Sequence, residues 1–168
     1  MTVPKTIRVA VGDCKVTSDL GCELVTYSLG SCIAVVVYEP RVPVGGLLHF
    51  MLPDSSLNRE KARKNPFLFA DTGIPLLLDR VSEFGADRRR LIIRVAGGAH
   101  VLDNAKIFNI GAQNYGAVVK ALKKLKLRVH AEAVGGSGSR TVRLDLKSGR
   151  VELRTVSSMR AAADRCTS

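Results

Sequence analysis

The sequence contains no tryptophan, and aromatic residues make up only 5% of its 168 positions. Proteins that bind nucleic acid without sequence preference stack bases on aromatic side chains beside basic residues, so this scarcity argues against that class. Long apolar runs are also missing: the longest, around residues 33–38, has about seven residues, whereas a membrane-spanning helix needs about 20. Residues 1–6 include no apolar segment of the kind found in signal peptides. We therefore expect a cytoplasmic protein with no membrane insertion.

No two cysteines of the sequence have the Cys-x-x-Cys spacing, which excludes the common zinc-finger arrangement. A cytoplasmic location also argues against disulfide bonds. The cysteine spacing thus gives no indication of a zinc-finger metal centre. Each cysteine is then either a small buried hydrophobe or a reactive thiol, and has to be judged on its own. The four are Cys14, Cys22, Cys32 and Cys166.

Lysine and arginine outnumber aspartate and glutamate by 26 to 15, which gives a net charge of +11. Such a charge predicts an acidic partner, but composition alone leaves open whether this is nucleic acid, an anionic membrane surface or an acidic protein. The basic residues concentrate in three segments, 59–64, 88–90 and 120–128. Runs of this kind usually form solvated faces, and we expect the same here.

Short strand-like runs and two helical patterns alternate along the chain. Runs rich in β-branched residues predict strands over 6–11, 22–28, 31–39, 47–52, 91–95, 127–134, 141–146 and 151–156. Apolar residues at three- and four-residue steps predict helices over 69–84 and 113–125. Pro75 is unfavourable inside the first helix, so its start is also compatible with a position nearer Gly73.

Between these elements the sequence predicts turns and one long surface loop. Residues 53–66 are polar and basic without clear periodicity, which is typical of a loop. The glycine-rich segments at 45–46 and 135–138 predict turns. Many strands with only two main helices indicate an α+β fold, with a mostly β, layered or sandwich-like core and the helices outside it. We expect one domain over residues 1–168, with a frayed tail over 157–168.

None of the glycine-rich segments has the spacing of a phosphate-binding loop, so a nucleotide site has little support. Gly30 differs from the others because Cys32 follows it at the start of an apolar strand. A glycine turn can direct backbone N–H groups toward a bound carbonyl and present the next side chain at the strand edge. Cys32 is therefore our candidate nucleophile, although a buried core cysteine remains the alternative. Cys14 and Cys22 follow no such turn.

A nucleophilic thiol needs a base, and three histidines are available. His49 is a polar residue inside an apolar run; it could be an ordinary core histidine, but pairing of strands 31–39 and 47–52 would bring it to Cys32. His100 is the rival, and His130 looks like a residue on a strand face. Thr26 could orient the imidazole through its hydroxyl, although threonine is also common in strands.

At these residues the sequence resembles the CheD family of chemoreceptor glutamine deamidases. Two motifs carry most of the resemblance: Thr26-Tyr-Ser-Leu-Gly-Ser-Cys32 and Gly45-Gly-Leu-Leu-His49-Phe-Met-Leu-Pro-Asp-Ser55. It continues through Phe69-Ala-Asp-Thr72, Ala96-Gly-Gly-Ala99, Asn109-Ile-Gly-Ala-Gln-Asn114, Gly135-Gly136 and Arg140. The similarity extends over residues 6–156, nearly the whole chain.

The resemblance implies a cysteine hydrolase that converts receptor glutamines to glutamates and releases ammonia, with no metal or organic cofactor. It implies Cys32 as the nucleophile, His49 as base and acid, and Thr26 as the group that orients the histidine. For the oxyanion hole we predict backbone N–H groups from Gly30 to Cys32, with Gly30 and Ser31 as the main candidates. The implied fold is that of the cytotoxic necrotizing factor toxins, a β-sandwich-like core with outer helices.

Two places in the chain depart from the family pattern. Gln113 stands where we expect arginine, and Ala133-Val134 stands where we expect Asp-Thr. We expect these differences to concern contacts with the substrate or a partner, because they leave the three implied catalytic residues intact.

The resemblance implies the cytoplasmic region of chemoreceptors as substrate and, in some members, a CheC-type phosphatase as a further partner. Two functions therefore remain open: a receptor deamidase, and a binding module that engages receptors or a CheC-type phosphatase with little catalysis of its own. A third, nucleic-acid binding, predicts an affinity for generic DNA that falls steeply with salt.

Overall fold

The computed structural model describes residues 2–100 and 109–157. Within these ranges the chain forms nine strands: Lys5–Arg8 (β1), Asp13–Thr17 (β2), Cys22–Leu29 (β3), Ile33–Glu39 (β4), Val44–Phe50 (β5), Ile92–Gly97 (β6), Ala131–Val134 (β7), Ser139–Asp145 (β8) and Val151–Val156 (β9). In the same ranges it forms three α-helices: Arg59–Lys64 (α1), Ala70–Glu83 (α2) and Ile110–Lys124 (α3).

The strands form two sheets. The first has four strands in the order β1-β3-β8-β9, and the second has five in the order β2-β5-β4-β6-β7. The pairs β1/β3 and β6/β7 are parallel, whereas the other neighbours run antiparallel. Mixed sheets combined with separate helices confirm the predicted α+β class. The likeness to the necrotizing factor fold stays a prediction.

The core consists of two apolar layers on opposite faces of the five-stranded sheet. One layer joins the two sheets, and its buried side chains include Leu24, Leu29, Ala34, Val36, Leu47, Val142 and Leu144. The other packs the same sheet against α2 and α3, and includes Val35, Val37, Leu48, Phe50, Ile74, Leu77, Val118 and Leu122. Every residue of β4 and β5 is buried, which explains why both strands read as continuous apolar runs rather than alternating ones.

Helix α2 begins at Ala70, so the alternative start near Gly73 is wrong. Pro75 lies within the helix and removes one backbone hydrogen bond. The buried face of the helix, formed by Ile74, Leu77, Leu78 and Val81, compensates for this loss by packing against the sheet. Helix α3 begins earlier than predicted because the side chain of Asn109 accepts a hydrogen bond from the N–H of Ala112 and caps it.

Two predictions about the first half of the chain are wrong, and one strand was not predicted. Residues 53–66 contain α1, which Asn58 caps, and no side chain of this helix is buried to mark it by an apolar pattern. Strand β2 has no counterpart in our prediction. Gly45 and Gly46 form part of β5 rather than a turn. Glycine is required there because a Cβ at either position would lie within 2.8 Å of leucine side chains in the two apolar layers.

Two expectations in the second half also need correction. His130 precedes β7 instead of lying on a strand face, and its Nδ1 accepts a hydrogen bond of 3.1 Å from the N–H of Ile93. The basic segment 88–90 is not only a solvated face: Arg90 forms an ion pair of 2.8 Å with the fully buried Glu39. The predicted tail over 157–168 lies almost entirely outside the described residues. None of the described helices is long and apolar enough to cross a membrane.

Candidate active site

Strands β4 and β5 form the antiparallel pair that the sequence predicted. Ala34 lies opposite His49, and Ile33 lies opposite Phe50. Cys32 precedes Ile33 and packs with the layer between the sheets, as Ala34 does, whereas Ile33 belongs to the helical layer. Cys32 and His49 are therefore diagonal neighbours on the same face of the sheet, a spacing that side chains of this size can bridge.

Thr26 reaches this site from the other sheet. It lies in β3, is fully buried, and its Oγ1 is 2.8 Å from Nδ1 of His49. The same Oγ1 donates a hydrogen bond of 2.7 Å to the carbonyl oxygen of Val9. A hydroxyl has one proton, and the carbonyl can only accept, so the threonine oxygen accepts from the Nδ1–H of His49. This fixes the tautomer with an unprotonated Nε2.

Nε2 of His49 is the nitrogen that is left to act as a base. It is buried and has no hydrogen-bond partner among residues 2–100 and 109–157. Burial lowers the pKa of His49 to about 4, because the charged imidazolium would lose its hydration. Burial likewise raises the pKa of the Cys32 thiol, whose side chain is only partly exposed. The ground state is a neutral thiol beside a neutral imidazole, not yet joined by a hydrogen bond.

Hydrogen bonds to its carbonyl oxygens fix the backbone just before β4. The carbonyl of Gly30 accepts from the N–H of Ala99 at 2.8 Å, and that of Cys32 accepts from Gly98 at 2.9 Å. The N–H groups of Gly30 and Ser31, by contrast, bond to no backbone or side-chain acceptor in the described part of the chain. They therefore have the free donors that our oxyanion prediction requires, and that role stays a prediction.

Gly97 allows the close approach of β6 to Cys32. Its φ of +116° is unfavourable for any residue with a side chain, and a Cβ there would overlap the carbonyl oxygen of Cys32. Val134 lies opposite Gly97 in the parallel β6/β7 pair. One of the two departures from the family pattern, Ala133-Val134, is thus one strand away from the cysteine, and the other, Gln113, is exposed on α3.

Asn114 is a polar residue at this site for which sequence reasoning gave no role. It is fully buried on α3, and its Nδ2 donates hydrogen bonds of 3.0 Å to the carbonyl oxygens of Ser31 and Met51. The signal was present in the sequence: Asn114 falls on the apolar face of α3, four residues before Val118 and eight before Leu122. A polar residue on such a face needs buried hydrogen-bond partners.

The remaining candidates lie elsewhere or have other partners. His100 is exposed, and its Nε2 accepts a hydrogen bond of 2.6 Å from the side-chain amide of Asn109. Cys14 is buried, and desolvation raises the pKa of its thiol to about 11, as expected of a core cysteine. The Cys22 thiol donates to the carboxylate of Asp19. Cys166 lies outside the described residues. Among the residues that are described, no three His, Cys, Asp or Glu side chains gather as metal ligands would.

Comparison with known proteins agrees with the motifs. The model of the family described as "CheD chemotactic sensory transduction" matches residues 51–155, a stretch that begins just after His49. A relative from Solibacter usitatus, named a probable chemoreceptor glutamine deamidase CheD, is 50% identical over 147 residues, or 88% of this chain and 87% of its own. A relative of the same name from Pyrococcus horikoshii is 40% identical over 154 residues, or 90% of this chain and 93% of its own. Together these matches show that the chain belongs to the CheD family.

Proposed function

We propose that this protein deamidates glutamine side chains of chemoreceptors, and that Cys32, His49 and Thr26 perform the reaction. The observation that supports it most directly is the hydrogen bond from Nδ1 of His49 to Thr26, which leaves Nε2 as the nitrogen that is free to act as a base. A cysteine, a histidine and an orienting group are the arrangement that acyl transfer through a thiol requires. The names of the relatives supply the substrate class.

In the first half of the reaction His49 Nε2 takes the proton of the Cys32 thiol, and the sulfur attacks the side-chain carbonyl carbon of glutamine. The carbonyl oxygen becomes negatively charged, and the N–H groups near Gly30 and Ser31 donate hydrogen bonds to it. The protonated imidazole then gives its proton to the leaving nitrogen, and ammonia departs. A thioester between Cys32 and the substrate remains.

In the second half His49 takes a proton from water, and the resulting hydroxide attacks the thioester carbon. The C–S bond breaks, Cys32 regains its proton from the imidazole, and the product is a glutamate side chain. Thr26 keeps Nδ1 protonated and the ring fixed throughout, so that Nε2 alone exchanges protons. Burial lowers the pKa of His49, so the imidazole is unprotonated at neutral pH and can accept the proton of the thiol.

The charge of the protein suits an acidic protein substrate. A net charge of +11 accelerates encounter with an acidic receptor segment more than it selects one glutamine. We infer the cytoplasmic region of chemoreceptors as that substrate, and a CheC-type phosphatase as a further partner. Both would meet the protein without membrane insertion.

The test is the intact mass of a purified receptor fragment before and after incubation with the protein. Conversion of one amide to one acid adds about one dalton and releases one ammonia. Cys32→Ala should abolish both changes, whereas Cys22→Ala, at a buried cysteine in the same strand as Thr26, should retain them. Unchanged mass with the wild-type protein would refute the proposal.

The same variants separate deamidation from the second function left open by the sequence. If the protein acts mainly as a binding module, Cys32→Ala should bind receptor fragment or CheC-type phosphatase as tightly as the wild type does, and the wild type should release no ammonia. The deamidase predicts ammonia release that depends on Cys32.

A further inference from the structure

Asn114 is a fully buried side chain that the reaction described above does not use. Its amide nitrogen lies 3.0 Å from the carbonyl oxygens of both Ser31 and Met51. Carbonyl oxygens only accept, so both neighbours require the NH₂ group and the orientation of the amide is unambiguous. Both amide protons are therefore committed to the backbone.

These two hydrogen bonds restrain the backbone just before β4 and just after β5, next to the two proposed catalytic residues. Ser31 directly precedes Cys32, and Met51 is the second residue after His49. Helix α3 thus connects the nucleophile end of β4 to the base end of β5 through one side chain. Ordinary ladder bonds do not supply this connection, because β4 begins only at Ile33 and β5 ends at Phe50.

The direction of the Ser31 carbonyl determines the direction of the next N–H. In a trans peptide the C=O of one residue and the N–H of the following residue point to opposite sides. Asn114 holds the C=O of Ser31 toward α3, and the N–H of Cys32 then points away from α3. That N–H donates to no other residue that the structure describes, and the acceptor it faces is the sulfur of Cys32 itself.

We propose that Asn114 is a positioning residue: it fixes the Ser31–Cys32 peptide so that the Cys32 N–H donates to the substrate oxygen when the sulfur attacks. This inference rests on the proposed function and adds to it the residue that aligns the oxyanion hole. Other groups restrain the neighbouring peptides, since the carbonyls of Gly30 and Cys32 accept from backbone N–H groups. Among the carbonyls of Gly30, Ser31 and Cys32, only that of Ser31 accepts from a side chain. A substitution of Asn114 can therefore remove this restraint alone.

The decisive variant is Asn114→Leu, which keeps the branched shape and the number of side-chain heavy atoms and removes both donors. Loss of one oxyanion donor typically lowers kcat by about 10²–10³-fold, and we expect a loss in this range with KM nearly unchanged. Alkylation of Cys32 by iodoacetamide provides the second readout, because this displacement creates no oxyanion. We expect its rate at pH 7 to stay within about threefold of the wild type.

Val118→Ala is the matched control, because it loosens the packing of α3 one turn further along and keeps the side chain that donates to Ser31 and Met51. It should reduce thermal stability while kcat stays close to that of the wild type. If Asn114→Leu fails to fold, Asn114→Ala removes both donors without adding bulk or a buried charge, and should show the same separation of kcat from alkylation.

A measurement on the wild type makes the inference independent of folding in the variants. A peptide aldehyde that mimics the glutamine side chain would form a hemithioacetal with Cys32, and the oxygen would occupy the oxyanion position. We expect the Cys32 amide proton resonance to move downfield in this adduct and not in the iodoacetamide adduct.

Three results would overturn the inference: kcat unchanged in Asn114→Leu, kcat and alkylation falling together, or no downfield shift of the Cys32 amide. A wild-type protein that leaves the receptor fragment unchanged would refute the proposed function itself, and this inference with it. An active wild type with an equally active Asn114→Leu would refute only the role of Asn114.

Discussion

Oγ1 of Thr26 and Nδ1 of His49 are joined by a hydrogen bond of 2.8 Å that crosses from one sheet to the other. Because the Thr26 proton goes to the carbonyl oxygen of Val9, the threonine can only accept from the imidazole. One side chain therefore satisfies a strand carbonyl and determines the tautomer of the histidine. The orientation of the base depends on how the two sheets pack, not on the β4/β5 pair alone.

We predict that Thr26 acts through its hydroxyl. Thr26→Ser keeps the oxygen and should retain most of kcat, whereas Thr26→Val keeps the shape and should lower kcat by about tenfold or more, because the ring loses its orientation. The measurement is kcat of both variants on one receptor fragment, with folding checked by circular dichroism. Equal rates for the two variants would make Thr26 an ordinary packed strand residue.

The sequence was sufficient to predict the local parts of this site. The apolar runs at 33–38 and 47–52, separated by turn residues, predicted that β4 and β5 would pair and bring Cys32 close to His49. Whether Thr26 reached the histidine could not be derived in this way. The contact depends on the packing of two sheets, and pattern rules within a strand carry no information about which residues face each other across them.

Other errors have a similar physical origin. Gly45 and Gly46 resemble a turn in the sequence, yet they lie in β5, where leucine side chains from both apolar layers leave room for no residue larger than glycine. Helix α1 has no buried side chain, so no periodicity marks it. Asn114 was visible as a polar residue on an apolar helix face, but its partners, two strand-end carbonyls, are far away in the sequence.

We next predict that His49, and not His100, controls the reactivity of Cys32. His49→Ala should slow alkylation of Cys32 at pH 7 by about tenfold, because the thiol loses the base that takes its proton. His100→Ala should leave the rate unchanged, since His100 is exposed and its Nε2 is bonded to Asn109. The rates can be followed by mass spectrometry of the Cys32 peptide. A large decrease in His100→Ala with none in His49→Ala would transfer the role to His100.

Gly97 gives a prediction about the backbone beside the nucleophile. Gly97→Ala should destabilise the protein by about 2 kcal/mol or more, since it combines a strained positive φ with an overlap on the Cys32 carbonyl. Any folded fraction should also have a reduced kcat, because relief of the overlap displaces Cys32. Gly116→Ala is the control. Gly116 lies in a helix with open space around its Cβ position, so this substitution should leave the free energy of unfolding unchanged or raise it. Equal unfolding free energies in urea for both variants would contradict the prediction.

The depressed pKa of His49 predicts a specific loss of stability in acid. The folded protein holds the pKa of this imidazole at about 4, against an ordinary value of 6.5, because burial disfavours the charged ring. Between these two values the unfolded chain binds a proton that the folded chain does not, so the free energy of unfolding must fall as the pH falls from 6.5 to 4. At pH 5 the loss relative to pH 7.5 amounts to about 2 kcal/mol.

His49→Gln isolates this contribution, because glutamine cannot titrate. Hydrogen bonds and salt bridges lower the pKa values of Glu39 and Asp87 to about 2. Protonation of these carboxylates in acid destabilises the wild type and the variant equally, so their contribution cancels in the comparison. Urea unfolding at pH 7.5 and pH 5 should therefore show a decrease in the wild type that exceeds that of His49→Gln by about 2 kcal/mol. Equal decreases in the free energy of unfolding for the two proteins would mean that His49 is as easily protonated in the folded protein as in the unfolded chain. The proposed base would then be cationic, not neutral, in an acidic assay.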